Sequence, residues 1–181
     1  MSRPKTVCII DVESSGLQPA LHEVVESSFW RLDTGARDTF IPPHTLINAD
    51  PEALAINRYW ERGLDDQTQW DHDGSQLRSF HAALTGCLIV GSNPGFDVDF
   101  LTPLFVRSDL SLAPFAYRPL DIGTYAAGVL GRPIGDRVGL TQLCNILGIP
   151  AGDHSSENDV TATGRCLIEL QYRANLQRTA S

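Results

Sequence analysis

Apolar and polar positions along this chain alternate first with the rhythm of strands and later with that of helices. Residues 5–11 form a short apolar run of strand length, and residues 23–32 form a second that ends in the turn Asp33-Thr34-Gly35. Residues 37–47 return as a third strand, interrupted by Pro42-Pro43, which marks an edge or a bulge. Together the three predict an antiparallel meander. Asp50-Pro51-Glu52 then supplies an N-cap, a proline at the first helical position and a first-turn acid, so a short helix starts there.

Helical spacing dominates the rest. Leu77, Phe80 and Leu84 predict a helix over 75–85. Cys87-Leu88-Ile89-Val90-Gly91 reads as a short buried strand, and a helix from about residue 94 buries Phe96, Phe100, Leu101 and Leu104. A last strand is expected within 115–120, then helices over 121–130, 139–147 and 157–174. The polar stretch 61–74, with Asp65, Asp66, Asp71 and Asp73, reads as a solvated loop. Its glycine and acids are out of place for a calcium loop. Three antiparallel strands followed by alternating helices and strands make an α/β fold with a mixed sheet. Residues 5–173 form one domain in this reading, and 174–181 a frayed C-terminal tail.

Composition narrows the function. A chain of 181 residues, 42% hydrophobic and 20% charged, suits one well-cored globular domain. No apolar run is long enough to span a membrane and no signal-peptide core opens the chain, so a cytoplasmic protein is expected. Cys8, Cys87, Cys144 and Cys166 are scattered without a C-x-x-C pair, as reduced core cysteines would be. Lys5 is the only lysine. That excludes a P-loop, whose lysine sits on the phosphates, and argues against aspartyl-phosphate phosphatases. No G-x-S-x-G elbow is present. The net charge of −8 argues against a broad nucleic-acid-binding surface, but clustered metal-ligand carboxylates would inflate that figure.

The candidate chemistry lies in four segments. In Asp11-Val12-Glu13, strand alternation aims both carboxylates the same way, which is costly unless a cation sits between them. Ser14, Ser15 and Gly16 turn the chain immediately afterwards. The second segment, Ser92-Asn93-Pro94-Gly95-Phe96-Asp97, lies where a buried strand gives way to a helix. The third is His154, in a glycine- and serine-rich loop, and the fourth is Asp159, five residues later in the first turn of the last helix. Taken singly, these have plainer readings: Asp97 suits any helix start, and Ser156-x-x-Asp159 fits a capping box. Asp99 competes with Asp97, but two residues of helix turn them about 200° apart, so only one can face a metal. Glu26, Asp121 and Glu157 read as supporting carboxylates. Trp30, Trp60 and Trp70 read as packing residues, and His22, His44, His72 and His81 as structural or solvated.

Over residues 5–173 these segments together resemble the DEDDh family of 3′–5′ exonucleases, the DnaQ-like branch of the ribonuclease H-like fold. Asp11-Val12-Glu13-Ser14-Ser15-Gly16 is similar to the first family motif, D-x-E followed by two small hydroxyl residues and glycine. Asn93, Phe96 and Asp97 are similar to the second, H-N-x-x-F-D, with Ser92 in place of the common histidine. His154 and Asp159 are similar to the third, H-x4-D. The resemblance implies a ribonuclease H-like mixed sheet and a metal-dependent exonuclease that releases nucleoside 5′-monophosphates from single-stranded 3′ ends of DNA or RNA. It implies two divalent ions, Mg²⁺ or Mn²⁺, about 3.5–4 Å apart. Asp11 would bridge them, Glu13 and Asp159 would complete one, Asp97 would serve the other, and His154 would be the general base. Backbone groups of Ser14, Ser15, Gly16 and Leu17, together with Asn93 and Phe96, would bind the terminal nucleotides. A polymerase partner and a homodimer both remain open. So do two other readings of the same fold: a non-catalytic nucleic-acid- or polymerase-binding module, and a phosphoesterase for short oligonucleotides.

Overall fold

The computed structural model describes residues 6–111, 115, 118–133 and 135–179. Lys5 and the last two residues of the expected tail lie outside them. The elements run β1 (Val7–Ser14), β2 (Val24–Arg31), β3 (Arg37–Phe40), α1 (Pro51–Ile56), α2 (Ser75–Leu84), β4 (Leu88–Gly91), α3 (Pro94–Arg107), β5 (Leu120–Asp121), α4 (Ile122–Val129), α5 (Leu140–Leu147) and α6 (Ser156–Thr179). The five strands form one sheet in the order β3-β2-β1-β4-β5. The meander β1-β2-β3 is antiparallel, while β4 and β5 join β1 in parallel. This is the expected mixed α/β sheet.

The central strand β1 serves both faces. Cys8, Ile10 and Val12 join Phe29, Leu77, Phe80 and Phe100 in a core beneath α2 and α3. Ile9 points the other way, into a core with Val90, Ile122, Leu143, Val160 and Leu167. Asp11 and Glu13 share the parity of Ile9, so they continue the α6 side of the sheet to its open end. A smaller cluster of Val25, Leu54, Tyr59 and Leu64 holds α1 against β2.

Several boundaries differ from expectation for identifiable reasons. β3 stops at Phe40, because Pro42 and Pro43 have no N–H for a ladder. The chain is instead fixed by His44, whose ring bonds the Pro42 carbonyl and the Tyr59 hydroxyl, each at 2.7 Å. The stretch 61–74 is not uniformly solvated. Asp71 is buried and accepts from the N–H groups of Gln76 and Leu77, capping α2. The last strand is only Leu120–Asp121, bound to Val90–Gly91; residues 116–117 of the expected strand lie outside the described residues. Residues 174–179 are no frayed tail, since α6 runs to Thr179, and Gln177 near its end donates to the Val129 carbonyl on α4. All four cysteines are buried and free.

α6 crosses the sheet where Gly164 meets Trp30. A Cβ on Gly164 would overlap the indole, whose ring also carries the Arg37 guanidinium at 3.5 Å. Gly128 on α4 faces open space instead. Urea denaturation should therefore separate the two glycines. Gly164→Val should lower stability by about 1–3 kcal/mol through overpacking, although a side chain normally favours a helix. Gly128→Ala should be neutral or stabilising by up to about 1 kcal/mol. Similar effects at both positions would contradict this packing of α6.

Candidate active site

Three elements bring the four predicted acids together. β1 carries Asp11 and Glu13, α3 carries Asp97 in its first turn, and α6 carries Asp159 in its first turn. Carboxylate oxygens of Asp11, Glu13 and Asp159 lie within 4.8 Å of one another. Asp97 lies deeper, 3% exposed, while Asp99 on the same helix is exposed. The acids line a cleft of about 310 Å³ together with Ser92, Phe96, Thr141, Gly152 and His154. Both helices direct an N-terminus, with its partial positive charge, toward this cluster.

The electrostatics are those of crowded, buried acids. Burial raises the Asp11 carboxyl well above its ordinary range, and Asp97, Glu13, Asp159 and Glu26 push it further in the same direction. Glu13 is raised to about 8, first by burial and then by Asp159 and Glu26, with Arg62 opposing. Asp97 is raised to about 8 by burial, against hydrogen bonds from the Val12 backbone and its own. Burial also raises Asp159, opposed by His154 and by backbone N–H groups of His154 and Asp153.

Each acid has dedicated local support. Gly152 lets the loop close on Asp159, because a Cβ there would overlap its carboxylate. Ser155 rather than Ser156 acts as the cap of α6: its Oγ accepts from the Asn158 N–H at 3.4 Å. Ser156 turns inward, and both its N–H and its hydroxyl donate to Glu26 at 2.8 Å. Glu26, opposite Glu13 in the β1–β2 register, also pairs with Arg62. Asp121 accepts from Thr124 to cap α4 and from the Asn93 N–H at 2.9 Å, fixing the strand-to-helix corner before Asp97. Glu157 is exposed.

The predicted substrate-binding residues are placed unevenly. Phe96 lines the cleft and packs on Phe100 with ring centroids 4.7 Å apart. Leu17 is exposed at 74%. Ser14, Ser15 and Gly16 are buried and occupied with the turn itself. The Ser14 hydroxyl donates to the Gly16 carbonyl, its carbonyl accepts from Asn57, and Ser15 bonds Glu23 and Asp50. The contacts of these three are thus with the turn, and they are not among the residues lining the cleft. Asn93 is exposed with φ +64°, its side chain makes no capping bond, and it is not among the residues lining the cleft. Trp30 and Trp70 pack as expected, but Trp60 is 60% exposed and touches Tyr59 edge-on. Gly152 and Arg62 had not been singled out from the sequence. Gly152 sits two residues before His154, a signal that could have found it; Arg62 carries none.

No family model matches the chain. Among curated proteins it is similar to ribonuclease T of Shewanella sp. strain W3-18-1 and of Shewanella putrefaciens strain CN-32, each 25% identical over 189 aligned positions. Those alignments cover 92% of this chain and 80% of the relative. Among solved structures it is similar to a zinc-bound complex of E. coli exonuclease I with single-stranded DNA, at a TM-score of 0.75 and 20% identity. That match covers 94% of this chain and 41% of the other. An E. coli exonuclease I complex with a dT13 oligonucleotide gives 0.73 at 20% identity, covering 97% and 42%. The chain thus spans about two fifths of the exonuclease I chains it matches. The fold is that of exonuclease I, and these likenesses bear out the resemblance to the DEDDh, DnaQ-like exonucleases drawn from the motifs.

The raised carboxyls set a pH dependence. In the metal-free folded chain Glu13 and Asp97 ionise near pH 8, whereas in the unfolded chain they ionise near the ordinary value of about 4. Between those limits the unfolded chain binds fewer protons, so stability falls as pH rises through the window. The metal-free protein should melt at a higher temperature near pH 6 than near pH 8. Mg²⁺ or Mn²⁺ should raise the melting temperature more at the higher pH, because binding requires ionised carboxylates. The reverse order in differential scanning fluorimetry would show that the acids are not stacked against one another.

Proposed function

We propose that this protein is a metal-dependent 3′–5′ exonuclease that releases nucleoside 5′-monophosphates from single-stranded nucleic acid. The observation that carries the reading is the convergence of Asp11, Glu13, Asp97 and Asp159 from three elements on one open cleft, with His154 among its lining residues. Such a cluster of like charges only weakens the fold, so its use lies in what it binds. The likeness to ribonuclease T along most of both chains supports a nuclease, and exonuclease I, which shares the fold, was solved with single-stranded DNA.

The donor set fits hard divalent ions. It is all oxygen, and the neighbours that act on Asp11 are acidic. Asp11, Glu13 and Asp159 would hold one Mg²⁺ or Mn²⁺, and Asp11 with Asp97 a second. Bound there, the ions would offset charge on the phosphoryl oxygens and lower the pKa of water. The protein's own part is to orient and to move a proton. His154 would accept the proton of the attacking water, a task that imidazoles commonly perform. Phe96 and the exposed Leu17 offer apolar contact to bases without reading sequence. The four acids and His154 all come from one chain.

The test is a denaturing gel of 5′-labelled single-stranded DNA and RNA. With Mg²⁺ the label should move down a one-nucleotide ladder, the released product should be the 5′-monophosphate, and chelator should stop both. Asp97→Ala should abolish shortening, while Asp99→Ala, on the exposed face of α3, should keep most of it. Intact substrate with Mg²⁺ would leave a binding module, and cleavage of dinucleotides alone would leave a phosphoesterase for short oligonucleotides. Equal activity of the two aspartate variants would contradict the role given to Asp97.

A further inference from the structure

Arg62 lies outside every motif, yet its guanidinium joins three segments around the cleft. It pairs with Glu26 on β2, and it donates to the Asn57 carbonyl at 3.2 Å and to the His154 carbonyl at 3.4 Å. Glu26 in turn receives both the N–H and the hydroxyl of Ser156. The hydroxyls of Ser156, Ser28 and Thr39 continue this chain into the sheet at 2.6 and 2.7 Å. The residues before and after Ser155 are thus tied to one partly buried ion pair. A second arginine of the same segment, Arg58, holds Asp153.

His154 needs such anchoring. Its backbone is left-handed at φ +60°, a conformation a residue with a Cβ keeps only when its surroundings impose it. Its ring is exposed, so packing does not fix it. The pair is costly in itself, since Glu26 is buried and Arg62 largely withdrawn from water, and it is better explained by what it holds than by net stability.

We propose that Arg62 and Glu26 are positioning residues that hold His154 over the carboxylate cluster. This rests on the reading of His154 as the general base. The rival explanation is that the Arg62 charge acts on the metal carboxylates through Glu13, and the two differ in what a second mutation does. If Arg62 works through His154, its loss should matter only while His154 is present.

The experiment is a double-mutant cycle on single-stranded DNA at saturating Mn²⁺, using Arg62→Lys and Arg62→Met, each with and without His154→Ala. Lysine keeps the charge but cannot reach all three acceptors. His154→Ala should lower kcat by about 10²–10⁴-fold. Arg62→Met should lower kcat at least about tenfold with histidine present and less than about twofold without it, while the Mn²⁺ affinity stays within about threefold. Arg62→Lys should fall between Arg62→Met and the wild type. Equal factors in both backgrounds, or a loss of metal affinity, would overturn the proposal. A histidine NMR spectrum decides it independently of turnover: the His154 ring signal, identified by its absence in His154→Ala, should shift or broaden in Arg62→Lys while the other four histidines keep theirs. An unchanged His154 signal would also overturn it. If His154→Ala keeps wild-type turnover, the general-base reading fails, and the spectrum still decides the positioning.

Discussion

The mutual repulsion of Asp11, Glu13, Asp97 and Asp159 is the constraint that the rest of the site answers. The carboxylates are buried or half-buried, burial raises the pKa of each, and their neighbours raise Asp11 and Glu13 further, so the fold holds them together at a cost. Sequence alternation on β1 puts Asp11 and Glu13 on one face. The sheet order then makes β4 the parallel neighbour of β1, so the helix that follows β4 starts beside Asp11. α6 returns over the same face, and its first turn brings Asp159 within reach.

The compensations are local and specific. Two helix N-termini face the cluster, and backbone N–H groups of Val12, Asp153 and His154 stabilise the ionised forms of Asp97 and Asp159. Gly152 gives the room that Asp159 occupies. Glu26 is a fifth carboxylate in the neighbourhood, but it is already bound to Arg62 and Ser156. Among the described residues, the structure thus divides its acids into a group without an ion pair, toward the cleft, and one, Glu26, paired behind it. That division is what a cation-binding site requires and what a solvated strand end would not produce.

Much of this was legible in the sequence because its signals are periodic or local. The two-residue alternation of Asp11 and Glu13, the Asp50-Pro51 helix start and the Leu77-Phe80-Leu84 stripe each depend on a few neighbouring residues. That Asp97 and Asp99 face different ways follows from helical geometry, and the Asn93 spacing with the Phe96-Asp97 pair picks out Asp97 as the inward one. What escaped depends on distant partners. Arg62 meets Glu26 36 residues away, and Ser156 meets Glu26 across 130. Asp71 reads as one more acid in a polar loop until α2 presents its N–H groups. Ser14 and Ser15 belong to the first motif, but no local pattern shows that their hydroxyls bond within the turn.

Counting the ions bound in this cluster tests the central claim most directly. Isothermal titration of the metal-free protein with Mn²⁺ near pH 8 should give two ions per chain. Asp11→Asn, at the shared position, should remove both, while Glu157→Gln, on the exposed face of α6, should leave both in place. Binding of two ions that survives Asp11→Asn, or no binding by the wild type, would contradict the account.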